Sequence, residues 1–146
     1  MLRGNHSARI DDKGRLKIPS QFRSHVEEQY GTGLFVTSLT GDYVRIYPMA
    51  VWEAVEAKLA ALPTTNPSRV KFLDSVNYYG QVAEIDGQGR VLIPPRLRET
   101  AAISGDVDVL GVLAYLDVWN HERFAARIAQ SRLTDEDLEA LAAAGI

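Results

Sequence analysis

One segment occurs twice in this chain. Residues 10–23 run Ile-Asp-Asp-Lys-Gly-Arg-Leu-Lys-Ile-Pro-Ser-Gln-Phe-Arg, and residues 85–98 run Ile-Asp-Gly-Gln-Gly-Arg-Val-Leu-Ile-Pro-Pro-Arg-Leu-Arg. At an offset of 75, Ile10/Ile85, Asp11/Asp86, Gly14/Gly89, Arg15/Arg90, Ile18/Ile93, Pro19/Pro94 and Arg23/Arg98 are identical, while Leu16/Val91 and Phe22/Leu97 stay apolar. An internal repeat sets the unit of construction before any other feature does. Here the unit is about half of the 146 residues, so two copies can build one pseudo-symmetric body.

The pattern inside the first copy predicts a hairpin. Ser7–Ile10 reads as a strand, Asp11–Gly14 as a tight turn, and Arg15–Ile18 as the returning strand. Leu16 and Ile18 then share one face, with Arg15 and Lys17 on the other. Asp11 can bond backbone amides across the turn, and Gly14 tolerates the left-handed conformation that closes it. After Pro19 a short helix is expected with Phe22, Val26 and Tyr30 on one face, then strands 34–39 and 43–47, then a helix opened by Pro48 with a Trp52, Val55, Leu59, Leu62 stripe. The second copy repeats the plan: strands near 82–86 and 90–93, helix 95–102, strands near 107–112 and 115–119, helix 121–131. At an offset of 72, Tyr43–Tyr47 aligns with Tyr115–Trp119, and Trp52 with Phe124. Three residues are therefore expected to be lost between the helix and the third strand.

Between the copies, Asn66-Pro67 reads as an N-cap with proline at the first helical position, and Val70, Leu73 and Val76 continue at helical spacing. Thr134 and Asp137 predict a capping box for a tail helix. The units are a first repeat at 8–54, a helical connector at 55–82, a second repeat at 83–126 and a helical tail at 127–146. Ile18, Phe22, Val36, Ile46, Ile93, Leu97, Val109 and Val118 are the expected core.

Charge is unevenly spread. The net charge is −3, yet residues 1–23 hold Arg3, Arg9, Lys13, Arg15, Lys17 and Arg23 against only Asp11 and Asp12. The tail carries Asp135, Glu136, Asp137 and Glu139 with no base after residue 133. A local basic patch attracts phosphate even on a mildly acidic protein, because fields act over about a Debye length, ~8 Å in physiological salt.

Catalytic patterns are missing. With no cysteine, disulfides, thiolate metal sites and thiol catalysis are excluded. His6, His25 and His121 lack metal-binding spacing and read as surface or turn residues. Neither a nucleophile elbow nor a P-loop occurs. No metal or cofactor is expected. No apolar run approaches the ~20 residues of a membrane span, and Met1–His6 lacks a signal peptide's apolar core, so a cytoplasmic location is expected.

The repeated arginines are the candidate binding residues. Arg15 and Arg90 stand at hairpin shoulders, where a planar guanidinium suits phosphate oxygens or a guanine edge. Arg23 and Arg98 support them from the following helix, and Lys13 and Lys17 are further candidates by charge. Asp11 and Asp86, with Gly14 and Gly89, have turn-building roles. The second hairpin has Gln88 and Leu92 where the first has Lys13 and Lys17, so the first copy is expected to dominate phosphate contact.

The pattern Asp-x-x-Gly-Arg-apolar-x-Ile-Pro, followed by a short helix carrying apolar-Arg, resembles the SpoVT-AbrB DNA-binding domain. Two such copies in a chain of this length resemble the MraZ family of bacterial transcriptional regulators, over residues 1 to about 130. That likeness implies an α+β, mainly β fold, in which two ββαββ-type repeats interlock as a pseudo-dimeric swapped-hairpin barrel with flanking helices. It also implies a non-enzymatic, nucleoid-associated repressor of the division and cell-wall gene cluster. Such a repressor binds double-stranded DNA at promoter repeats as a ring-like homo-oligomer. An antitoxin-like module that binds a protein partner is the alternative, since swapped-hairpin domains also occur there.

Overall fold

The computed structural model describes residues 1–146. The first copy contributes β1 (Leu2–Ile10), β2 (Arg15–Lys17), α1 (Ser20–Tyr30), β3 (Gly33–Thr37), β4 (Val44–Pro48) and α2 (Met49–Ala60). The connector is α3 (Pro67–Tyr79). The second copy follows with β5 (Gln81–Glu84), β6 (Arg90–Leu92), α4 (Pro95–Thr100), β7 (Gly105–Leu113), β8 (Tyr115–Asn120) and α5 (His121–Gln130), and α6 (Asp135–Ala142) forms the tail. Every strand pair is antiparallel, and the order β5-β3-β4-β8-β7-β1-β2-β6 rolls into a nearly closed eight-stranded barrel.

The expected hairpin is not a self-contained pair. β1 touches β2 through one register pair, Ile10 opposite Leu16. Its long partner is β7 of the other copy, from Leu2 opposite Leu113 to Ile10 opposite Gly105. β2 in turn pairs with β6, its own counterpart, with Leu16 opposite Val91. The ladder continues as Ile18 N–H donates to Gly89 O and Ile93 N–H donates to Gly14 O, each at 2.9 Å. Each hairpin is thus completed by the other half, which is the swapped-hairpin arrangement. A three-residue strand has too few bonds to stand alone, so neither hairpin is expected to persist without its partner.

Where equivalent residues face each other, a pseudo-two-fold axis pierces the barrel. It passes between Leu16 and Val91 at β2/β6, and between Arg45 and Asp117 at β4/β8. The registers also correct the expected three-residue loss. Arg9 opposite Asp106 corresponds to Glu84 opposite Gly33, and Thr37 opposite Arg45 to Leu110 opposite Asp117. β3 therefore maps onto β7 at an offset of 73, and β4 onto β8 at 72. Two residues are lost before the third strand and one in the hairpin after it.

The barrel interior is a single cluster that contains all eight expected core residues. Truncating such a side chain, for instance Leu97→Ala, costs roughly 2–5 kcal/mol. Period-2 alternation supplies the cluster: Leu16 and Val91 point inward while their strand neighbours stay outside. On α1, Phe22 and Val26 are buried, but Tyr30 reaches solvent at the helix end. A smaller cluster lies outside the barrel, where Phe35, Tyr47, Trp52 and Val76 join β3 and β4 to α2 and α3. Of the expected α2 stripe only Trp52 is fully buried, stacked on Phe35 at 4.6 Å, while Leu62 lies beyond the helix and is exposed. Asn66 caps α3 by accepting from Arg69 N–H, and Thr134 and Asp137 form the reciprocal box on α6. No helix is long and apolar enough to cross a membrane.

At the β4/β8 end of the axis, Arg45 donates from Nε to Asp117 Oδ1 at 2.9 Å and from Nη2 to Oδ2 at 3.2 Å. Its guanidinium also lies 4.2 Å from the Tyr115 ring centroid. Burial works against the Arg45 charge, but the hydrogen bonding and charge of Asp117, with support from Tyr47 and Tyr43, together outweigh it and hold the guanidinium above its ordinary pKa. Removing one member of a buried pair strands the other charge, at a cost of about 3–5 kcal/mol, whereas replacing both by apolar groups is far milder. We expect Arg45→Met to lower unfolding free energy by about 3 kcal/mol in urea denaturation, and Arg45→Met/Asp117→Leu to recover most of it. Equal losses in the two variants would mean that the pair is solvated and carries no such penalty.

Candidate nucleic-acid interface

The two Asp-x-x-Gly-Arg turns have the same construction. Asp11 Oδ1 accepts from Lys13 N–H at 3.0 Å and Arg15 N–H at 2.9 Å, and Asp86 Oδ1 accepts from Gln88 and Arg90 N–H, each at 2.9 Å. The second carboxylate oxygen takes the arginine's own Nε, at 3.2 Å in Asp11–Arg15 and 3.3 Å in Asp86–Arg90. One carboxylate therefore folds the turn and aims the arginine that ends it. In Arg15 only Nε is consumed. The Nη groups of Arg15 have no partner within the chain, so the fork remains available to an outside acceptor.

Gly14 and Gly89 have φ of 84° and 77° and are buried. A Cβ at Gly14 would strike the Arg98 guanidinium, and one at Gly89 would come within 2.9 Å of Arg23 Cδ. Each helix arginine therefore lies across the turn of the opposite copy. Arg23 also donates from Nε to Glu27 at 3.1 Å and from Nη2 to Gly87 O at 3.3 Å, and Arg98 from Nε to Ile93 O at 3.1 Å. Sequence spacing could not reveal this, because it follows from the exchange of β2 and β6.

The β2/β6 pair brings the remaining cations onto one outward face. With Leu16 and Val91 inside, Arg15, Lys17, Arg90 and Leu92 alternate to the outside. Lys17 stands directly opposite Arg90, and Arg15 opposite Leu92. Like charges directly across a sheet repel; Asp86 and Asp11 offset Arg90, whereas Lys17 has no ion-pair partner. The face is also asymmetric: Arg90 Nη1 approaches Asp11 Oδ2 at 4.0 Å, with no reciprocal contact from Arg15 to Asp86. Lys13 is exposed on the first turn. The sequence did not flag Asp108, whose carboxylate lies 2.8 Å from His121 Nδ1, nor Arg45; both lie on other strands. No cluster of side chains suits a metal ion.

Backbone amides, led by Arg15 N–H and Arg90 N–H, hold the Asp11 and Asp86 carboxyls below their ordinary pKa. A depressed folded-state pKa contributes stability that is complete above the unfolded value of 3.8. That stability is lost as pH falls through the lowered folded value. The Asp11→Asn/Asp86→Asn chain should therefore lose less stability than the native chain when thermal melts at pH 6 are compared with melts near pH 2. Parallel losses would show that the turn carboxylates are not the groups titrating.

This geometry sits in a chain with recognisable relatives. A family model described as "MraZ protein, putative antitoxin-like" matches residues 1–74 and again residues 81–144. A transcriptional regulator MraZ from Acidobacterium capsulatum is 52% identical over 146 residues, covering 100% of both chains. Its counterpart from Koribacter versatilis is 53% identical over 147 residues, again covering 100% of both. That of Chromobacterium violaceum is 36% identical over 136 residues, covering 93% of this chain and 92% of its own. With both halves matched by one family model and full-length relatives at this identity, the chain belongs to the MraZ family.

Proposed function

We propose that this chain is a non-enzymatic transcriptional regulator that binds double-stranded promoter DNA through the outward face of β2 and β6. The observation that carries the reading is the Lys17/Arg90 juxtaposition beside Arg15, three cations gathered on one outward face that phosphate would neutralise. The relatives' printed name supports a regulator rather than an enzyme.

Arg15 is the main contact: its fork is free, and its cross-strand neighbour Leu92 is uncharged. Arg90 and Lys17 form the second cluster, partly offset by Asp11. Lys13 reaches phosphate from the first turn, while Arg23 and Arg98, lying across the turns, add contacts at the flanks. One protomer offers few contacts, so tight binding rests on a homo-oligomer, ring-like in form, whose copies engage repeated promoter elements and raise the effective concentration of each later contact. Such binding at a promoter represses, and the division and cell-wall gene cluster is the target the family likeness implies. The place of action is then the nucleoid in the cytoplasm. The antitoxin wording of the family description favours a second reading, a protein partner on the same face.

The test is a fluorescence-anisotropy titration against the DNA upstream of the protein's own gene, with a shuffled duplex as competitor. Specific binding should survive the competitor. A bidentate arginine contact is worth about 1–3 kcal/mol, roughly 5- to 150-fold in affinity. Arg15→Ala should weaken specific binding within that range, with oligomeric mass unchanged, and Arg90→Ala should weaken it less. The slope of log affinity against log salt should be steep and become shallower in Arg15→Ala. Binding lost equally to both duplexes would reduce the face to a generic basic patch, and absence of binding at low salt would favour the protein partner.

A further inference from the structure

The pseudo-symmetry of the chain is broken at one place outside the barrel. In the first copy, the outer surface of β3 and β4 is covered by two helices, α2 and then α3. Thr37 Oγ1 donates to Val76 O, Ser75 Oγ donates to Leu39 O, and Phe72 stacks on Trp52 at 6.5 Å. The equivalent positions in the second copy are Leu110 for Thr37, Val112 for Leu39, Trp119 for Tyr47 and Phe124 for Trp52. These residues line an open groove of about 460 Å³ beside α5. No helix fills it.

A second helix does exist at that point of the chain. α6 follows α5 as α3 follows α2, yet no α6 residue lines this groove, and every residue of α6 is exposed. Its apolar side chains Leu138 and Leu141, at i and i+3, remain 49% and 37% exposed. The connection differs too. Six residues, 61–66, join α2 to α3, whereas four, 131–134, join α5 to α6. A helix left without a buried face has no tertiary source of stability.

Charge matches the two surfaces. α6 carries Asp135, Glu136, Asp137 and Glu139 and no base. The groove is walled by Arg127, which lies 4.9 Å from the Trp119 ring centroid and has no carboxylate partner, and by Arg45 and Asp117, which neutralise each other, so Arg127 is its one uncompensated charge. The acid Glu122 lies on the same helix but does not line the groove.

We propose that the groove between α5 and the β7/β8 surface receives α6 of a second copy of this chain, with Leu138 and Leu141 on the apolar floor and the acidic face toward Arg127. The amphipathic helix enters a groove by its i, i+3 anchors. The contact is heterologous, groove to tail, so each copy offers one of each and the assembly propagates until it closes. A single eight-residue helix buries too little for a strong dimer; closure holds each copy at two contacts. The inference supplies the contact for the homo-oligomer proposed above, and it is tested without DNA, so its failure leaves DNA binding by the hairpin arginines standing.

The absence of cysteine makes a clean experiment possible. The full chain carrying Ile128→Cys and Leu138→Cys is oxidised mildly and run on a denaturing gel, with its native mass measured by light scattering. The expected result is a ladder of cross-linked multimers, collapsed by reductant and lost when Leu141→Asp or Arg127→Glu is added. Those two substitutions, without the cysteines, should also reduce the native mass. A fast-running cross-linked monomer would place α6 in its own groove and overturn the proposal. So would no cross-link at all, or a single-cysteine chain that multimerises as well as the double variant. Loss of native mass in Val82→Asp, an exposed apolar side chain on the edge strand β5, with no loss in Leu141→Asp, would move the contact there and overturn it equally.

Discussion

The structure depends on a backbone ladder between β2 and β6, short strands of different copies. Each hairpin turn is stable as a local device, an aspartate gathering amides over an Asp-x-x-Gly loop. The strand it launches is only three residues long. Two such strands become a fixed element by lying against each other, with Leu16 and Val91 packed beneath and the Ile18 and Ile93 amides tied to the opposite glycines. Arg23 and Arg98 extend the dependence, since each is held over the other copy's turn. The candidate DNA face therefore does not exist in either half alone. It is produced by pairing the halves, which couples the site to folding of the whole barrel.

Joining the halves in one chain permits chemistry that a symmetric dimer could not have. On a true two-fold axis a residue meets its own copy, so arginine would face arginine. Here the same position holds Arg45 in one copy and Asp117 in the other, and they form a two-bond ion pair under the Tyr115 ring. The pair rewards association of unlike halves and penalises association of like ones. At the opposite end of the axis the divergence runs the other way. Lys17 and Leu92 occupy equivalent positions, so one side of the candidate face is more basic than the other.

Much of this was legible in the sequence, for identifiable reasons. The repeat, the turns and the helix caps are local, carried by residues within a few positions of each other, and Asp11, Asn66 and Thr134 make the bonds their neighbours imply. Of the eight expected core residues, six follow from strand patterning, while Phe22 and Leu97 sit on the short helices after each hairpin. What was not legible is non-local. The nine-residue β1/β7 ladder, the placement of Arg23 over Gly89, and the Arg45–Asp117 pair all depend on which strands become neighbours. Tyr30 and Leu62 failed for a related reason: helical spacing marks a face, but not where the face runs out of a surface to cover.

The same logic explains why the asymmetry between halves is informative about function. Barrel closure alone does not account for the repeated arginines, because the Nη ends of Arg15 and Arg90 lie outside the core, whereas the unrepeated Lys17 stands opposite Arg90. Each repeated arginine uses Nε to hold its turn aspartate, while the rest of its guanidinium lies outside the core; the aspartate and glycine beside it are explained by the turn alone. The one like-charged neighbour pair on this face, Lys17 opposite Arg90, arises where the copies diverge, and a phosphate there would relieve its repulsion. The two copies thus separate the turn-building residues of the motif from the arginines proposed to contact DNA. What both turns require for folding is Asp and Gly; what neither turn requires is the free guanidinium fork.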